Sequence, residues 1–302
     1  MKWKKKGRIF FVSGQHELAT SHALLPTPFL LENGNIRMYF TSMDERRIGR
    51  TFYIDLNSDN PSEILQNIRM VPVAIEESPD FDGYGINTCQ VIMKDSVFLL
   101  YYIGYSRPSG LPYKINPGLL VSRSPNFLDA QRYPILKDEM MQKNLSHGSY
   151  CVFQSNDALF MWYANGEEWI SVNGKPYLQT TIKSGTSTDG IAWTMSDTVC
   201  ITPQANEFAI GRPWVIMENN LFKMWYSIRS KSVPYRIGYA ESVDGINWTR
   251  KDEEVGIDVS ASGWDSEMIC YPSVIKVKDR TYLFYNGNNN GETGFGWAEL
   301  VK

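Results

Sequence analysis

Residues 188–195 (TDGIAWTM) and 243–250 (VDGINWTR) carry one turn twice, Asp-Gly-x-x-Trp-Thr, 55 residues apart in a chain of 302. Asp-Gly supplies the positive φ that a tight turn between two strands needs, so each copy predicts a hairpin: SGTS (184–187) running into IAWTM, and IGYAES (237–242) running into INWTR. Near each turn lies an apolar strand ending in paired aromatics, FMWYA at 160–164 and FKMWYS at 222–227. Weaker relatives stand at 36–42 (IRMYFTS), 98–104 (FLLYYIG) and 282–288 (YLFYNGN). Aligned on Met38, Leu100, Met161, Met224 and Leu283, the copies are spaced by 62, 61, 63 and 59 residues. Self-similarity at such a period is the mark of a repeat architecture.

The register inside each copy repeats as well. Nine residues before each anchor stand Phe29, Val91, Val152, Val215 and Val274, each in an apolar run, with polar turn residues such as Glu32-Asn33-Gly34-Asn35 or Glu218-Asn219-Asn220 between run and anchor. Two β-rich runs joined in this way read as a hairpin. Each unit of about 60 residues then holds two hairpins and four strands, and four-stranded units repeated radially are propeller blades. The expectation is an all-β, five-bladed β-propeller with four-stranded antiparallel blades around a central axial pocket, one domain over residues 1–302. Blade boundaries are expected near 62, 124, 200 and 250, with the N-terminal segment or the C-terminal strand closing the ring. The Asp-Gly-x-x-Trp turn would join the two outer strands of blades 3 and 4, its Trp packing between blades. It reports fold and not chemistry.

Composition narrows the partners. With 33 acidic and 30 basic residues the net charge is −3, so there is no basic footprint for nucleic acid. No apolar stretch reaches the length of a membrane span, and the basic start at 1–14 (MKWKKKGRIFFVSG) lacks a signal-peptide core. The four cysteines show no CxxC spacing, which suits a reduced, cytoplasmic protein. No histidine or cysteine cluster has metal-site spacing, and neither a metal nor a cofactor is expected.

In a propeller the innermost strands start around one end of the axis. Those starts are 22–28 (HALLPTP), 85–91 (GINTCQV), 147–153 (HGSYCVF), 211–216 (GRPWVI) and 270–275 (CYPSVI). The five-unit register, the x-Pro-x-Val strand starts and the Asp-Gly-x-x-Trp turns resemble the five-bladed carbohydrate-active propellers of glycoside hydrolase families 43, 32 and 130. The closing stretch 271–300 also resembles relatives associated with surface-polysaccharide clusters. The resemblance implies a carbohydrate substrate in an axial pocket. It also implies acids at the strand starts, typically an Asp before the Pro of the first blade, where this chain has Pro26, Thr88, Ser149, Arg212 and Tyr271. The family's usual hydrolytic triad is therefore not carried over.

Acids do stand slightly upstream: Asp80 and Asp82, Glu207, Asp265 and Glu267, with Asp44 after the second strand of blade 1. Glycosyl transfer ordinarily needs a carboxylic acid to protonate the leaving oxygen and a second carboxylate as base or nucleophile. Glu267 is the candidate general acid, because the apolar run that follows can desolvate it. Asp82 is second, and Asp44, in SMDERRIGR, resembles a sugar-contact loop of family 130. The competing reading is that all are solvated loop acids. Candidate substrate-binding residues are His22, Asn87, His147, Arg212, Trp264 and Tyr271. An Arg aimed into a channel suits a carboxylate or phosphate, so Arg212 points to an anionic substrate or a buried acid partner. Tyr84, Tyr105, Trp169 and Trp214 are further aromatics near the pocket mouth. Three functions stay open: a glycoside hydrolase-like enzyme acting on a carbohydrate or sugar-phosphate substrate, a non-catalytic sugar-binding propeller, and a transferase handling a sugar phosphate in surface-polysaccharide biosynthesis.

Overall fold

The computed structural model describes residues 1–74, 81–134, 146–155 and 158–301. The chain opens with β1 (Trp3–Phe10) and then lays down four-stranded antiparallel units in order. The first is β2 (Ser21–Leu30), β3 (Ile36–Met43), β4 (Gly49–Leu56) and β5 (Arg69–Met70); the second is β6 (Ile86–Lys94), β7 (Val97–Ser106), β8 (Lys114–Ser122) and β9 (Gln131–Pro134). The third comprises β10 (His147–Gln154), β11 (Leu159–Val172), β12 (Lys175–Ser187) and β13 (Thr194–Ile201). The fourth comprises β14 (Glu207–Glu218), β15 (Leu221–Ser230), β16 (Arg236–Ser242) and β17 (Thr249–Arg250), and a single parallel bridge, Thr180 to Ala209, ties it to the third. The fifth joins β18 (Cys270–Val277), β19 (Arg280–Asn286) and β20 (Phe295–Leu300) to β1 as its outermost strand.

The inner strands β2, β6, β10, β14 and β18 pack side by side in that order, and β18 returns against β2. The ring of a β-propeller is thereby closed, with the N-terminal segment completing the last blade. Expected boundaries near 62 and 124 fall inside the first and second blades. There the outermost strand comes late, after the loops that follow Leu56 and Ser122.

The alignment anchors mark the core. Met38, Leu100, Met161, Met224 and Leu283 are all fully buried, and in four blades the inner-strand residue nine positions earlier is the direct cross-strand partner. In the first blade the turn is one residue longer, so Pro28 rather than Phe29 pairs with Met38.

Two residues beyond the anchor a tyrosine meets an acid in three blades. Tyr102 donates to Asp82 at 3.0 Å, Tyr226 to Asp252 at 2.5 Å and Tyr285 to Asp265 at 3.0 Å. Each acid also meets a cation, Arg132, Arg250 and Lys5 in turn. Each tyrosine ring lies across a paired glycine, Gly118, Gly238 or Gly296, of the third strand. At Gly118 and Gly238 a Cβ would run into that tyrosine ring.

The repeated turn does structural work in both copies. Asp189 Oδ1 accepts the amides of Ile191 and Ala192, and Asp244 Oδ1 those of Ile246 and Asn247. Gly190 and Gly245 take φ of 78° and 75°, and each carbonyl accepts the indole N–H of its own turn tryptophan, Trp193 or Trp248. The same two carbonyls accept a donor from the preceding blade, Tyr101 Oη at 2.9 Å and Trp162 Nε1 at 2.7 Å. The turn thus locks one blade to the next.

Candidate functional site

The inner-strand starts carry the special backbone of the molecule. Pairing between first and second strand slips at Leu24/Thr27, Thr88/Gln90, Gly148/Cys151, Gly211/Trp214 and Cys270/Ser273. Such bulges re-aim a side chain where a strand would otherwise alternate. Four of them hold a non-glycine residue at positive φ: Leu25, Ser149, Arg212 and Tyr271 at 57°, 57°, 51° and 53°. This conformation is uncommon for such side chains and is found where surroundings enforce it. The equivalence corrects the sequence alignment by one residue in blade 1, because Leu25 and not Pro26 matches Arg212 and Tyr271. The residue before the first-blade Pro is therefore an apolar Leu.

Arg212 is 1% exposed and lies across the axis. From blade 4 it donates to the carbonyl of Cys89 in blade 2, and to Thr27 Oγ1 (2.8 Å) and the Pro26 carbonyl (3.4 Å) in blade 1. Its ring-side neighbour is Trp214, 5.2 Å from the guanidinium. Burial lowers its pKa from the ordinary arginine value, and among the described residues no carboxylate pairs with it. Arg212 is thus a buried cation that ties the inner strands of blades 1, 2 and 4 together. The inner-strand cysteines Cys89, Cys151 and Cys270 are buried free thiols, as expected of small packing residues.

Two clefts open at the end where inner strands start and second strands turn into third. The first, about 370 Å³, lies on blades 1 and 2 and is lined by His22, Arg47, Tyr84, Asn87, Tyr105 and Arg107 among others. Asn87 donates to Tyr105 Oη at 3.4 Å, and Arg107 stacks on Tyr84 at 4.7 Å. His22 sits at positive φ in a second bulge of β2, its Nδ1 3.0 Å from Ser21 Oγ. Burial lowers its pKa; Glu292 opposes the shift and Arg47 adds to it. The imidazole is thus neutral at pH 7.

The second cleft, about 320 Å³, lies on blades 3 to 5, with Lys175, Tyr177, Phe208, Arg229, Lys231 and Tyr235 in its wall. The partition between the clefts is aromatic: Tyr113 of the first stands 5.0 Å from Trp169 and 6.1 Å from Tyr105. Tyr271 packs edge-on against Tyr235 at 5.6 Å.

Neither cleft is lined by a carboxylate among the described residues. Their cations are Arg47, Arg107, Lys175, Arg229 and Lys231, and none of these side chains makes a hydrogen bond or ion pair to a described residue. In a chain with a net charge of −3, the charged side chains that line the two clefts among the described residues are cationic.

The acids singled out in the sequence lie elsewhere. Asp82 is 0% exposed and is consumed by Tyr102 and Arg132 inside blade 2. Asp265 and Glu207 are paired with Lys5 and Arg250. Asp44 shapes the β3–β4 loop, accepting the amides of Arg46 and Ile48 at 3.0 Å and Arg50 Nε at 3.1 Å, and so presents Arg47 to the cleft. Glu267 is exposed, not desolvated; its backbone is held by Asn288 and Arg236 while its side chain lines neither cleft. The apolar run after it turns into the blade and leaves the Glu outside. Asp80 lies outside the described residues.

Of the expected binding residues, His22 and Asn87 line the first cleft. Arg212 and Tyr271 lie at the axis. His147 is 7% exposed against Tyr163, and burial holds its imidazole down to about 4. Trp264 stacks flat on Tyr285 at 5.3 Å and is blade packing, as is Trp214, whose Nε1 donates to Val274. Sequence reasoning missed Arg47, Arg107, Lys175, Arg229 and Lys231, although all lie in or beside the second-to-third-strand connections that the repeat register places at this end: Arg47, Arg107 and Lys231 in the loops, Arg229 near the end of β15 and Lys175 at the start of β12. It also missed Glu167, near His147, whose charge burial opposes but whose pKa is brought below the ordinary value by hydrogen bonds from Thr181 and Asn165.

No family model matches the sequence. Over 304 residues, 99% of each chain, it is 31% identical to the uncharacterized protein Rv1502 of Mycobacterium tuberculosis strain H37Rv. The chain belongs to the Rv1502 family. The Rv1502-like fold is that of glycoside hydrolase-type propellers. It superposes on a Listeria innocua β-1,2-mannobiose phosphorylase with a TM-score of 0.73 at 10% identity, covering 99% of this chain and 97% of that one. An α-L-arabinofuranosidase, PaAbf62A of Podospora anserina, gives 0.71 at 10% identity over 100% and 97%. A thermostable family-43 glycoside hydrolase gives 0.66 at 17% over 92% and 88%. These likenesses establish the architecture of the Rv1502-like chain.

Proposed function

We propose that this Rv1502-like protein is a carbohydrate-active enzyme that transfers a glycosyl group from a phosphate-bearing sugar at the axial face of one propeller domain. The observation that carries the reading is the lining of the two clefts: among the described residues, five cations whose side chains make no ion pair, and no carboxylate. Hydrolysis of an ordinary glycoside needs a carboxylic acid to protonate a poor leaving group and a second carboxylate within about 5–10 Å. A phosphate leaving group is already a weak base. It needs its developing charge stabilised, and preorganised Arg and Lys side chains supply that stabilisation. As the sugar C1–O bond to phosphate breaks, the phosphate leaves with the electron pair. A bond forms from C1 to the acceptor hydroxyl, whose proton passes to neutral His22 as general base.

Tyr84, Tyr105 and Tyr113 offer faces and hydroxyls to sugar rings. The fold is compatible with phosphate chemistry, since a β-1,2-mannobiose phosphorylase shares it. The buried free thiols suit a reducing, cytoplasmic setting.

The test is calorimetric titration with glucose 1-phosphate, mannose 1-phosphate and the free sugars, followed by release of inorganic phosphate with candidate acceptors. Sugar phosphates are expected to bind at least tenfold more tightly than the free sugars, and the Arg47→Ala/Arg107→Ala protein to lose that preference. Equal binding of neutral sugars would overturn the reading. Tight binding without turnover of any donor would leave a sugar-phosphate-binding protein.

A further inference from the structure

The second cleft contains a guanidinium with unusual surroundings. Arg229 stacks on Tyr177 at 4.6 Å, on Tyr235 at 5.1 Å and on Phe208 at 5.2 Å, yet its N–H groups donate to no described residue. A half-buried guanidinium ordinarily finds acceptors, because leaving its donors dry and unpaired is costly. Stacking holds the plane of Arg229 and leaves its edges to an acceptor from outside, the arrangement suited to bidentate capture of an oxyanion. Lys175 and Lys231 add two charges to the same wall, and no acid among the described residues offsets them. Three cations fit a group of nearly two negative charges better than a carboxylate of one, and a phosphate monoester carries about −1.5 to −2 at pH 7.

The two clefts are of similar size, about 370 and 320 Å³, and are separated by the aromatic partition of Tyr113 and Trp169. Arg229 acts electrostatically on Tyr113, which lines the first cleft: burial raises the Tyr113 pKa and the Arg229 charge pulls it partly back.

We infer that Lys175, Arg229 and Lys231 form a second phosphate subsite, which holds the phosphate of a phosphorylated acceptor sugar while the donor occupies the cleft of His22, Arg47 and Arg107. The assignment of donor and acceptor rests on the function proposed above; the existence of the subsite does not.

Titration of the whole protein with inorganic phosphate tests it. Two equivalents are expected to bind. In the Lys175→Ala/Lys231→Ala protein, whose exposed side chains can be removed without touching the core, one equivalent should weaken about tenfold or more, and Arg229→Gln should abolish it. Arg47→Ala/Arg107→Ala should remove the other equivalent only. A single equivalent lost with Arg47 and Arg107 alone would overturn the second subsite and leave the proposed function standing. A single equivalent lost with the Lys175, Lys231 and Arg229 variants alone would keep the subsite and overturn the donor placement. Glucuronate displacing phosphate from the second cleft at equal concentration would overturn its assignment as a phosphate site.

Discussion

The blades and the axial face treat charge in opposite ways. Three of the acids singled out in the sequence have found partners within the fold, Asp82 with Tyr102 and Arg132, Asp265 with Tyr285 and Lys5, and Glu207 with Arg250. At the axial face Arg47, Arg107, Lys175, Arg229 and Lys231 line clefts without such partners among the described residues. A buried carboxylate must be compensated within the fold, because desolvating an ion costs several kcal/mol. A cation at a wet cleft can wait for its counter-ion in a ligand. In this molecule, then, pairing marks scaffold and the lack of it marks the site.

The sharpest way to break that contrast is to remove a scaffold acid. Asp82→Ala strands the Tyr102 hydroxyl and Arg132, and should cost about 3–5 kcal/mol in urea denaturation, while the folded fraction keeps its affinity for sugar phosphates. A selective loss of affinity would put Asp82 in the site.

His147 tests the buried axial end by pH. It is neutral in the fold, with a pKa of about 4 against an ordinary 6.5. Below pH 6.5 the unfolded chain takes up a proton that the native state refuses, so stability present above 6.5 is lost as the pH falls towards 4, by up to about 3 kcal/mol. His147→Gln should flatten the thermal-stability profile between those limits; an unchanged acid limb would show that His147 is not held neutral.

Removing Arg47 and Arg107 together should weaken glucose 1-phosphate binding by about 10- to 100-fold, or about 1.4–2.8 kcal/mol, with no fall in melting temperature. A protein that melts earlier without losing affinity would reverse the assignment of scaffold and site.

Smaller effects come from the repeated turn. Ser187→Ala and Ser242→Ala each remove a hydroxyl that accepts the amide of the turn glycine at 2.9 Å. Each should cost about 0.5–1.5 kcal/mol and leave binding alone. Least of all is expected of Glu267→Gln, whose exposed side chain lines neither cleft; donor turnover should stay within a factor of two, and a large drop would return Glu267 to the mechanism.

How far the sequence could be read follows from the same division. Hairpins, anchors and turn chemistry are local. Alternation, Asp-Gly and a period of about 60 residues depend on neighbours in the chain, so the blades and the Asp-Gly-x-x-Trp locks were legible, and Met38, Leu100, Met161, Met224 and Leu283 are core as the repeat requires. His22 and Asn87 were legible as cleft residues because they sit at strand starts whose direction the register sets.

What the sequence could not assign was the partner of each charge. Asp265 meets Lys5 across 260 residues of chain and Asp82 meets Arg132 across 50, so nothing in the local pattern separates these acids from catalytic ones. Glu267 looked buried because an apolar run follows it, yet the chain turns outward just before the run begins. The longer turn between β2 and β3, which pairs Pro28 rather than Phe29 with Met38, shifted the first-blade start by one residue, from Pro26 to Leu25, since the register of a hairpin depends on two strands together. Propeller, period and inter-blade turns are properties of the sequence itself, because they rest on short-range backbone geometry. The cationic lining of the clefts, with no acid among the described residues, was decided only when the ring closed, because charge compensation depends on distance in space and not along the chain.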